Sequence, residues 1–430
     1  MARIHSSRNR AGRRPTAVPH RASHGPLAGY LVALIGVVLV LGACAAPRPT
    51  PVASGSPASV PTGSSTGTTP ATASAAASAT AAISAPPSTA EETWRLVQLP
   101  DAGDVGSIGD IATLPGVVIV AAAAGAAGER GIAWTSLDQG STWVSEPIPK
   151  AARSLGRLVP WGDRVLLIGE ADGGCAHPSV VQVQVRAPAG GWTAAPFDPI
   201  FCAGGLPQGA AAGTHAVIVG AGAGDVPYAW SSDDGLRWTD QSRPFVDRLP
   251  QGVAVEGSGF VAFGTAPLPA SAWVARSEDG KAWEAPQPLP GLAGATVVGN
   301  PVVLDGDLAI LAGAPNGDVG LLQPDGSGGW SSQLTQGLTR ATLSRVIAVD
   351  GGLVAIGGDD KGPAAWVSSD GVEWRALALP PEAVASGAGA TLTGVAEADG
   401  RAYLVGQIVA AGGDRAIGAL WTGPATLLRP

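Results

Sequence analysis

The chain contains 430 residues, with 62 glycines, 37 prolines, only 14% charged residues and a formal net charge of −8. Residues 1–90 hold seven arginines and no acidic residue, so the remainder of the chain carries a net charge of about −15. A surface of that sign repels a phosphate backbone, which excludes nucleic acid as a partner.

Residues 1–43 have the pattern of an export signal. Six arginines precede an apolar run at 27–43, and the run ends in Leu41-Gly42-Ala43-Cys44. This end resembles the lipobox of bacterial lipoproteins, with Gly where Ala or Ser is commoner. The resemblance implies cleavage before Cys44 and a diacylglyceryl group on its sulfur, and two acyl chains hold a protein on a membrane stably. An uncleaved signal anchor is the alternative, because residues 27–46 are about long enough to span a bilayer.

Residues 44–90 have the composition of a tether. Nearly all of them are Ala, Ser, Thr, Pro or Gly, and none is acidic or aromatic. Such a segment buries too little apolar surface to offset its chain entropy. We therefore predict a disordered linker between the lipid anchor and a folded domain over residues 91–430.

From residue 91 onward, strand-sized apolar runs recur at a regular interval. Unbroken apolar runs of four residues are typical of strands that are covered on both faces. Most of the intervals measure about 44 to 49 residues. The seven runs are residues 118–121, 166–169, 217–220, 261–264, 310–313, 354–357 and 403–406.

Two further positions repeat with each run. The strand that leads into a turn is marked by Trp134, Val183, Trp230, Ala275, Leu321, Trp366 or Trp421. The strand after the turn opens with a tryptophan in six cases, Trp143, Trp192, Trp238, Trp283, Trp330 and Trp374. The segment 94–100 (W-R-L-V-Q-L-P) matches 374–380 (W-R-A-L-A-L-P) and supplies the seventh. We predict an all-β, seven-bladed β-propeller closed by its N-terminal strand, with six or eight blades as alternatives because 375–420 is the loosest interval.

Four turns share a motif in which each residue has a physical role. The carboxylate can accept turn N–H bonds, the glycine supplies a left-handed backbone and the serine hydroxyl ties the strand end. The first turn matches the pattern S-x-D-x-G-x-T-W fully, and the other three copies are shortened by one residue. This pattern resembles the Asp-box of sialidases and sialidase-like (BNR) propellers. The resemblance implies that these residues are structural and that ligands bind on the opposite face. The residues are Ser136, Asp138, Gly140, Thr142 and Trp143; Ser232, Asp234, Gly235 and Trp238; Ser277, Asp279, Gly280 and Trp283; and Ser368, Asp370, Gly371 and Trp374.

Cys175 and Cys202 are the only cysteines besides Cys44. Cys175 lies in a predicted loop between second and third strands, and Cys202 lies in the connection to the next blade, so both fall on the same face. Outside the cytoplasm such a pair predicts a disulfide. A metal site that adds His177 is the alternative, but a tetrahedral structural site needs a fourth ligand. We expect no metal and no cofactor.

Catalytic residues are not predicted. The resemblance to sialidases would require an arginine cluster, a tyrosine nucleophile and a separate acid/base, but the F-R-I-P motif of such domains is absent. The propeller region contains only Tyr228 and Tyr403. A sialidase-like glycoside hydrolase or lyase stays an alternative, because acidic residues are numerous and the sequence does not give their separation in space.

The main hypothesis is a binding scaffold that uses the loops opposite the Asp-box turns. These loops differ in length and chemistry, which is typical of a binding face on a constant scaffold. We predict a monomeric, lipid-anchored protein on the extracytoplasmic face of the cell membrane that binds an envelope glycan or protein. An assembly factor for a membrane complex is a further alternative. The candidate binding residues are Glu129, Arg130, His177, Phe201, Asp359, Lys361 and Arg415, and the aromatic residues considered for stacking on sugars are Trp161, Trp273, Phe201 and Phe245.

Overall fold

A computed structural model describes residues 93–102, 105–122, 131–149, 154–175, 179–203, 205, 207–267, 270–289, 296–297, 300–304, 306–314, 316–327, 329–409 and 415–430. The chain divides into two compact units, Met1–Ile83 and Ser84–Pro430, and every described residue belongs to the second. The predicted signal sequence, Cys44 and the predicted tether lie outside the described residues. Within the described part of the chain, no helix is long and apolar enough to cross a membrane.

Seven antiparallel sheets follow one another and form blades 1–7, as the sequence predicts. The chain begins with β1 (Arg95–Leu96), which belongs to the last blade. Blades 1 to 3 contain β2 (Ile108–Leu114), β3 (Val117–Ala122), β4 (Ile132–Ser136) and β5 (Val144–Pro147); β6 (Ser154–Trp161), β7 (Arg164–Asp172), β8 (Ser179–Arg186) and β9 (Trp192–Ala194); and β10 (Gly209–Ala212), β11 (Ala216–Ala221), β12 (Pro227–Ser232) and β13 (Thr239–Asp240).

The remaining blades follow the same plan, with two short first strands in blade 5 that both pair with β20. Blades 4 to 6 contain β14 (Leu249–Glu256), β15 (Gly259–Pro267), β16 (Ala270–Ser277) and β17 (Gln287–Pro288); β18 (Thr296–Val297), β19 (Val302–Leu304), β20 (Asp307–Gly313), β21 (Val319–Pro324) and β22 (Trp330–Leu334); and β23 (Thr342–Val349), β24 (Gly352–Asp359), β25 (Gly362–Ser368) and β26 (Arg375–Ala376). Blade 7 contains β27 (Thr391–Ala398), β28 (Arg401–Val409), β29 (Ala416–Pro424) and β1.

The ring closes through the N-terminal strand. In β1, Arg95 lies opposite Thr422 and Leu96 lies opposite Trp421 of β29. The indole N–H of Trp94 donates to the carbonyl oxygen of Ala378 at 2.9 Å, and this tryptophan is buried. The closure predicted from the match between 94–100 and 374–380 is therefore confirmed, and the ring has seven blades rather than six or eight.

The core lies between neighbouring blades, which explains the unbroken apolar runs. In β11, Ile218 packs toward blade 2 in a cluster with Leu166, whereas Val217 and Val219 pack toward blade 4 in a cluster with Phe260. Successive residues of a strand point to opposite faces, so a strand covered on both sides needs apolar residues at every position. All seven predicted runs fall on second strands of blades, namely β3, β7, β11, β15, β20, β24 and β28.

Four turns between third and fourth strands hold their hydrogen bonds internally. In blade 1, the Ser136 hydroxyl accepts the N–H of Gly140 at 2.7 Å, and the Asp138 carboxylate accepts the N–H and the hydroxyl of Thr142 at 2.8 and 2.7 Å. These bonds, the Thr142 hydroxyl first, lower the pKa of Asp138 to about 2. The indole N–H of Trp143 donates to the carbonyl oxygen of Gly140. The serine hydroxyl likewise accepts the glycine N–H at 2.8 Å in the turns of Ser232 and Gly235, Ser277 and Gly280, and Ser368 and Gly371.

One element was not predicted. The helix α1 (Pro381–Ser386) lies in the connection from blade 6 to blade 7, inside the interval with the loosest repeat. Proline suits the first turn of a helix because its missing N–H would be unpaired there in any case. Short 3-10 helices lie in connections between blades at Pro199–Ala203, Arg243–Phe245 and Gly387–Gly389, and another, Ala425–Leu428, follows β29.

Candidate binding face

The propeller presents two faces with different loops. His215 lies in the turn between β10 and β11, and Asp233 lies in the turn after β12. The Nδ1 atom of His215 is 2.5 Å from Oδ1 of Asp233. Lys281 in the corresponding turn of blade 4 also pairs with Asp233, at 2.8 Å, and this hydrogen bond is the main cause that lowers the pKa of Asp233. First-to-second turns and third-to-fourth turns therefore share one face, called here the turn face.

The opposite face, called here the loop face, carries the loops between second and third strands and the connections between blades. A disulfide joins Cys175 after β7 to Cys202 in the 3-10 helix Pro199–Ala203, with the two Cα atoms 5.6 Å apart. The predicted disulfide is confirmed. Because it links one loop of each kind, it also shows directly that the two kinds of loop lie on the same side.

Phe201 is buried, so its predicted role as a binding contact was wrong. The sequence suggested a binding contact, but this side chain is only 3% exposed and packs edge-on against Trp230 at 5.6 Å between ring centroids. Its neighbour in the same connection, Phe197, is 57% exposed and was missed. Burial of one ring and exposure of the other depend on the neighbouring sheet, which no local pattern reports.

The other candidate residues fall into two groups. Asp359 and Lys361 are exposed at the turn between β24 and β25, where the carboxylate of Asp359 accepts the N–H of Lys361 at 2.8 Å. Arg415 is exposed immediately before β29 in the next blade. The structure therefore places these three residues on the loop face of blades 6 and 7. Glu129, Arg130 and His177 lie outside the described residues.

The aromatic residues considered for sugar stacking are not available on the loop face. Trp273 and Phe245 are 1% and 0% exposed and contact each other, with ring centroids 5.5 Å apart. Trp161 is half-buried and donates its indole N–H to the carbonyl oxygen of Gly213 at 2.8 Å, which places it at the turn face. Sugar stacking by Phe245 and Trp273 is therefore contradicted, because both rings are core, and Trp161 packs at the opposite face.

A groove of about 750 Å³ opens on the loop face at blade 3. We call it the blade-3 groove. Its apolar surface includes two exposed valines, Val226 at 60% and Val246 at 65% exposure. Its lining comes from the loop after β11, from β12, from the connection between β13 and β14 with the strand ends that flank it, and from the preceding connection. The lining residues are Ile200, Gly224, Asp225, Val226, Pro227, Tyr228, Trp230, Asp240, Ser242, Arg243, Val246, Asp247 and Leu249.

The groove is acidic. Asp225, Asp240 and Asp247 line it together with a single guanidinium, that of Arg243. Ser242 fixes the connection against the sheet, because its hydroxyl accepts the N–H of Ala229 at 2.9 Å. Exposed carboxylates beside exposed valines give this part of the loop face both charge and apolar area.

Rings form the floor of the groove without offering their faces. Tyr228 stacks on Trp230 with centroids 4.4 Å apart, and the two side chains are 3% and 2% exposed. Burial raises the pKa of Tyr228, with Glu170 adding to the effect. The ring stack is therefore core, and the exposed part of the groove is its rim, which includes the aspartates and the two valines.

The described tyrosines do not suit a sialidase-like reaction. Burial raises the pKa of Tyr403 to about 12, and this side chain is fully buried, as Tyr228 nearly is. A tyrosine nucleophile must reach the substrate and ionise, and burial opposes both for these two side chains. At the centre of the ring, the carboxylate of Asp110 pairs with Arg345 and lies near Arg157. In the described part of the chain, no group of three or more His, Cys, Asp or Glu side chains is arranged to hold a metal ion.

No protein-family model and no curated protein matches this sequence. Solved structures do match it. A structure of YCF48 bound to D1 peptide is 16% identical, with a TM-score of 0.49, over 77% of this chain and 94% of that chain. The β-propeller domain of the trilobed protease from Pyrococcus furiosus is 10% identical, with a TM-score of 0.49, over 74% and 93%. A mutant of Trypanosoma rangeli sialidase is 13% identical, with a TM-score of 0.41, over 75% of this chain and 55% of that one. These likenesses concern the fold alone.

Proposed function

We propose that this protein is a lipid-anchored, extracytoplasmic binding scaffold that holds a protein partner in the blade-3 groove. The observation that carries the proposal is the combination of exposed Val226 and Val246 with three groove carboxylates. Exposed apolar area gains about 25 cal/mol per Å² when it is covered. Acidic side chains around it favour a partner segment that combines apolar residues with lysine or arginine, and they steer its approach.

A polypeptide fits this groove better than an envelope glycan. Aromatic side chains stack on a flat ligand only when a ring face is free, and the rings of Tyr228 and Trp230 are buried beneath the groove. The exposed lining consists instead mainly of aliphatic side chains and carboxylates, with the one guanidinium of Arg243. Such a surface complements a cationic, apolar peptide segment.

Two features support the remaining parts of the proposal. The sequence Leu41-Gly42-Ala43-Cys44 supports lipidation at Cys44 and an extracytoplasmic location, and the confirmed disulfide fits an oxidising compartment. The shared hydrogen bonds of the four turns support an Asp-box (BNR-type) propeller in which these aspartates are scaffold.

Site-specific photocrosslinking in intact cells tests the groove. A photoreactive amino acid at Val226 or Val246 should give a discrete protein adduct, and the same residue at Leu137, which is 74% exposed on the turn face, should not. Reversing a groove charge with Asp247→Lys should reduce the adduct at Val226 several-fold, because attraction for a basic segment is lost.

The comparison separates the alternatives. Adducts that form at Leu137 as readily as at Val226 would contradict the groove assignment. An adduct that resists protease but not glycosidase would replace the protein partner with a glycan. Adducts that survive Asp247→Lys unchanged would contradict the charge argument.

A further inference from the structure

The centre of the ring contains a repeated structural position. Five first strands, β2, β6, β14, β23 and β27, each have a register shift, or bulge, near their start, after Ile108, Leu155, Pro250, Leu343 and Leu392. First strands of neighbouring blades, such as β2 with β6 and with β27, contact one another around the axis. The residue that follows the bulge is Asp110, Arg157, Gly252, Arg345 or Gly394, in the same order. We call the three charged residues the axial cluster.

Asp110 is fully engaged. Its Oδ2 atom accepts the N–H of Leu158 in the next blade at 2.8 Å, and its Oδ1 atom accepts the N–H of Ile111 at 2.7 Å and pairs with the Arg345 guanidinium. Burial raises the pKa of Asp110, and Arg345 partly opposes that effect. With 2% of its side chain exposed, this carboxylate has little capacity left for a second cation.

Gly394 makes the pairing geometrically feasible. Arg345 belongs to blade 6 and Asp110 to blade 1, so the ion pair passes over blade 7. A Cβ atom at Gly394 would lie only 2.9 Å from Oδ1 of Asp110, in the space that the pair uses. The ion pair therefore bridges the two blades on either side of the seam that β1 closes.

Arg157 is left without a matching charge. It is half-buried, and burial, followed by repulsion from Arg345, lowers the pKa of its guanidinium. Among the residues that the structure describes, none accepts a hydrogen bond from this guanidinium or forms an ion pair with it. Two guanidiniums thus share one carboxylate in a partly dehydrated space, where an unpaired charge is costly.

We propose that the axial cluster binds a small oxyanion, a carboxylate or a phosphate group, with Arg157 as its principal ligand and Arg345 beside it. One negative charge balances the excess, and a guanidinium presents parallel N–H donors that match the two oxygens of such a group. The cluster lies near the start of the first strands, so the anion enters from the loop face. Because Arg345 and Asp110 bridge the seam, an anion held there also stabilises the closed ring.

The axial cluster is separate from the blade-3 groove. It favours an anionic ligand, whereas the groove favours a cationic one. The large negative charge of the folded region disfavours polyanions, so a compact ligand is favoured. Two sources share this chemistry, a free inorganic ion and the carboxylate of a larger ligand. Phosphate and acetate stand for them as probes.

Thermal unfolding of the full chain at constant pH and ionic strength tests the proposal. Replacing chloride by phosphate or acetate should raise the melting temperature of the wild type in a saturable manner. A shift of roughly 4 °C or more corresponds to a concentration near 100 times the dissociation constant. Arg157→Gln should abolish the shift while leaving the melting temperature in chloride equal or higher. Arg164→Gln, which replaces an exposed arginine at the start of β7 in the same blade, should keep the shift.

The outcomes divide clearly. A shift with acetate points to a carboxylate ligand, and a shift with phosphate alone points to a phosphate group. An equal shift in wild type and Arg157→Gln would overturn the proposal, because the anion would then act elsewhere or through general salting-out. No saturable shift in the wild type would also overturn it. If Arg157→Gln does not fold, Arg157→Lys keeps the charge without the fork and should weaken anion binding several-fold, measured by titration calorimetry.

Discussion

Aspartates in this protein differ in behaviour because of where they lie. Asp138 is exposed, and hydrogen bonds from Thr142 hold its pKa at about 2. Asp110 is buried at the axis, where desolvation raises its pKa despite Arg345. The first carboxylate closes a turn, and the second holds the backbone of the next blade.

The turn aspartate has a testable pH dependence. The folded pKa of Asp138, about 2, lies below the ordinary value of about 3.9, so its ionised form stabilises the fold above about pH 4 and loses that contribution as the pH falls toward 2. The melting temperature of Asp138→Asn should therefore lie below that of the wild type at pH 5 to 7, and the gap should close near pH 2. Asp163→Asn, in another exposed turn, is the control. A gap that stays constant down to pH 2 would contradict this role.

Sequence reasoning identified the turn residues but not the axial cluster. The segments 108–111, 155–158, 343–346 and 392–395 share an apolar residue, a small residue, a variable residue and another apolar residue. This repeat is a usable signal. Its third position, however, holds Asp, Arg, Arg and Gly, so a comparison that looks for similar residues in each copy overlooks that position. The prediction that Phe201 contacts a ligand was wrong for a different reason, since burial of this ring depends on Trp230 in another blade.

At the level of elements, second, third and fourth strands could be predicted, whereas first strands could not. Apolar runs mark the second strands, and tryptophans mark most of the third and fourth strands. The first strand β10 reads Gly-Ala-Ala-Ala and carries no apolar periodicity, and other first strands are interrupted by bulges. The helix α1 spans six residues, too few to show an amphipathic pattern.

We predict that the N-terminal strand β1 contributes measurably to the free energy of unfolding. A chain that starts at residue 101 lacks β1, the buried Trp94 and the Pro100 carbonyl oxygen that accepts the Trp134 indole N–H at 2.6 Å. Losing a buried tryptophan costs about 3–5 kcal/mol. Chemical denaturation should show at least that loss of unfolding free energy relative to a chain that starts at residue 89. Equal unfolding free energies would show that β1 does not stabilise the ring.

At the scale of the whole molecule, the two faces divide the work. The turn face repeats one hydrogen-bonded arrangement, and the loop face carries the disulfide, the blade-3 groove and the charged residues of blades 6 and 7. The blade count and ring closure followed from the sequence period. The groove did not, because its residues come from connections that share no repeat.

The proposed lipid attachment at Cys44 concerns the whole chain and can be tested in cells. Metabolic labelling with a fatty acid should mark the wild type, and Cys44→Ala should abolish the label and membrane retention. The substitution should leave the melting temperature unchanged, because the propeller begins well after residue 44. A wild-type protein without label would contradict lipidation, and a labelled Cys44→Ala variant would place the lipid elsewhere.

Closure by β1 has a mechanical consequence. The chain before Trp94 joins the propeller through a strand of two residues, whereas blades 1 to 6 are each built from consecutive segments. Tension transmitted along the N-terminal segment therefore reaches the ladder between β1 and β29 before any other contact in the ring. We therefore expect the seventh blade to open first under such tension, while the other six sheets keep their own hydrogen bonds.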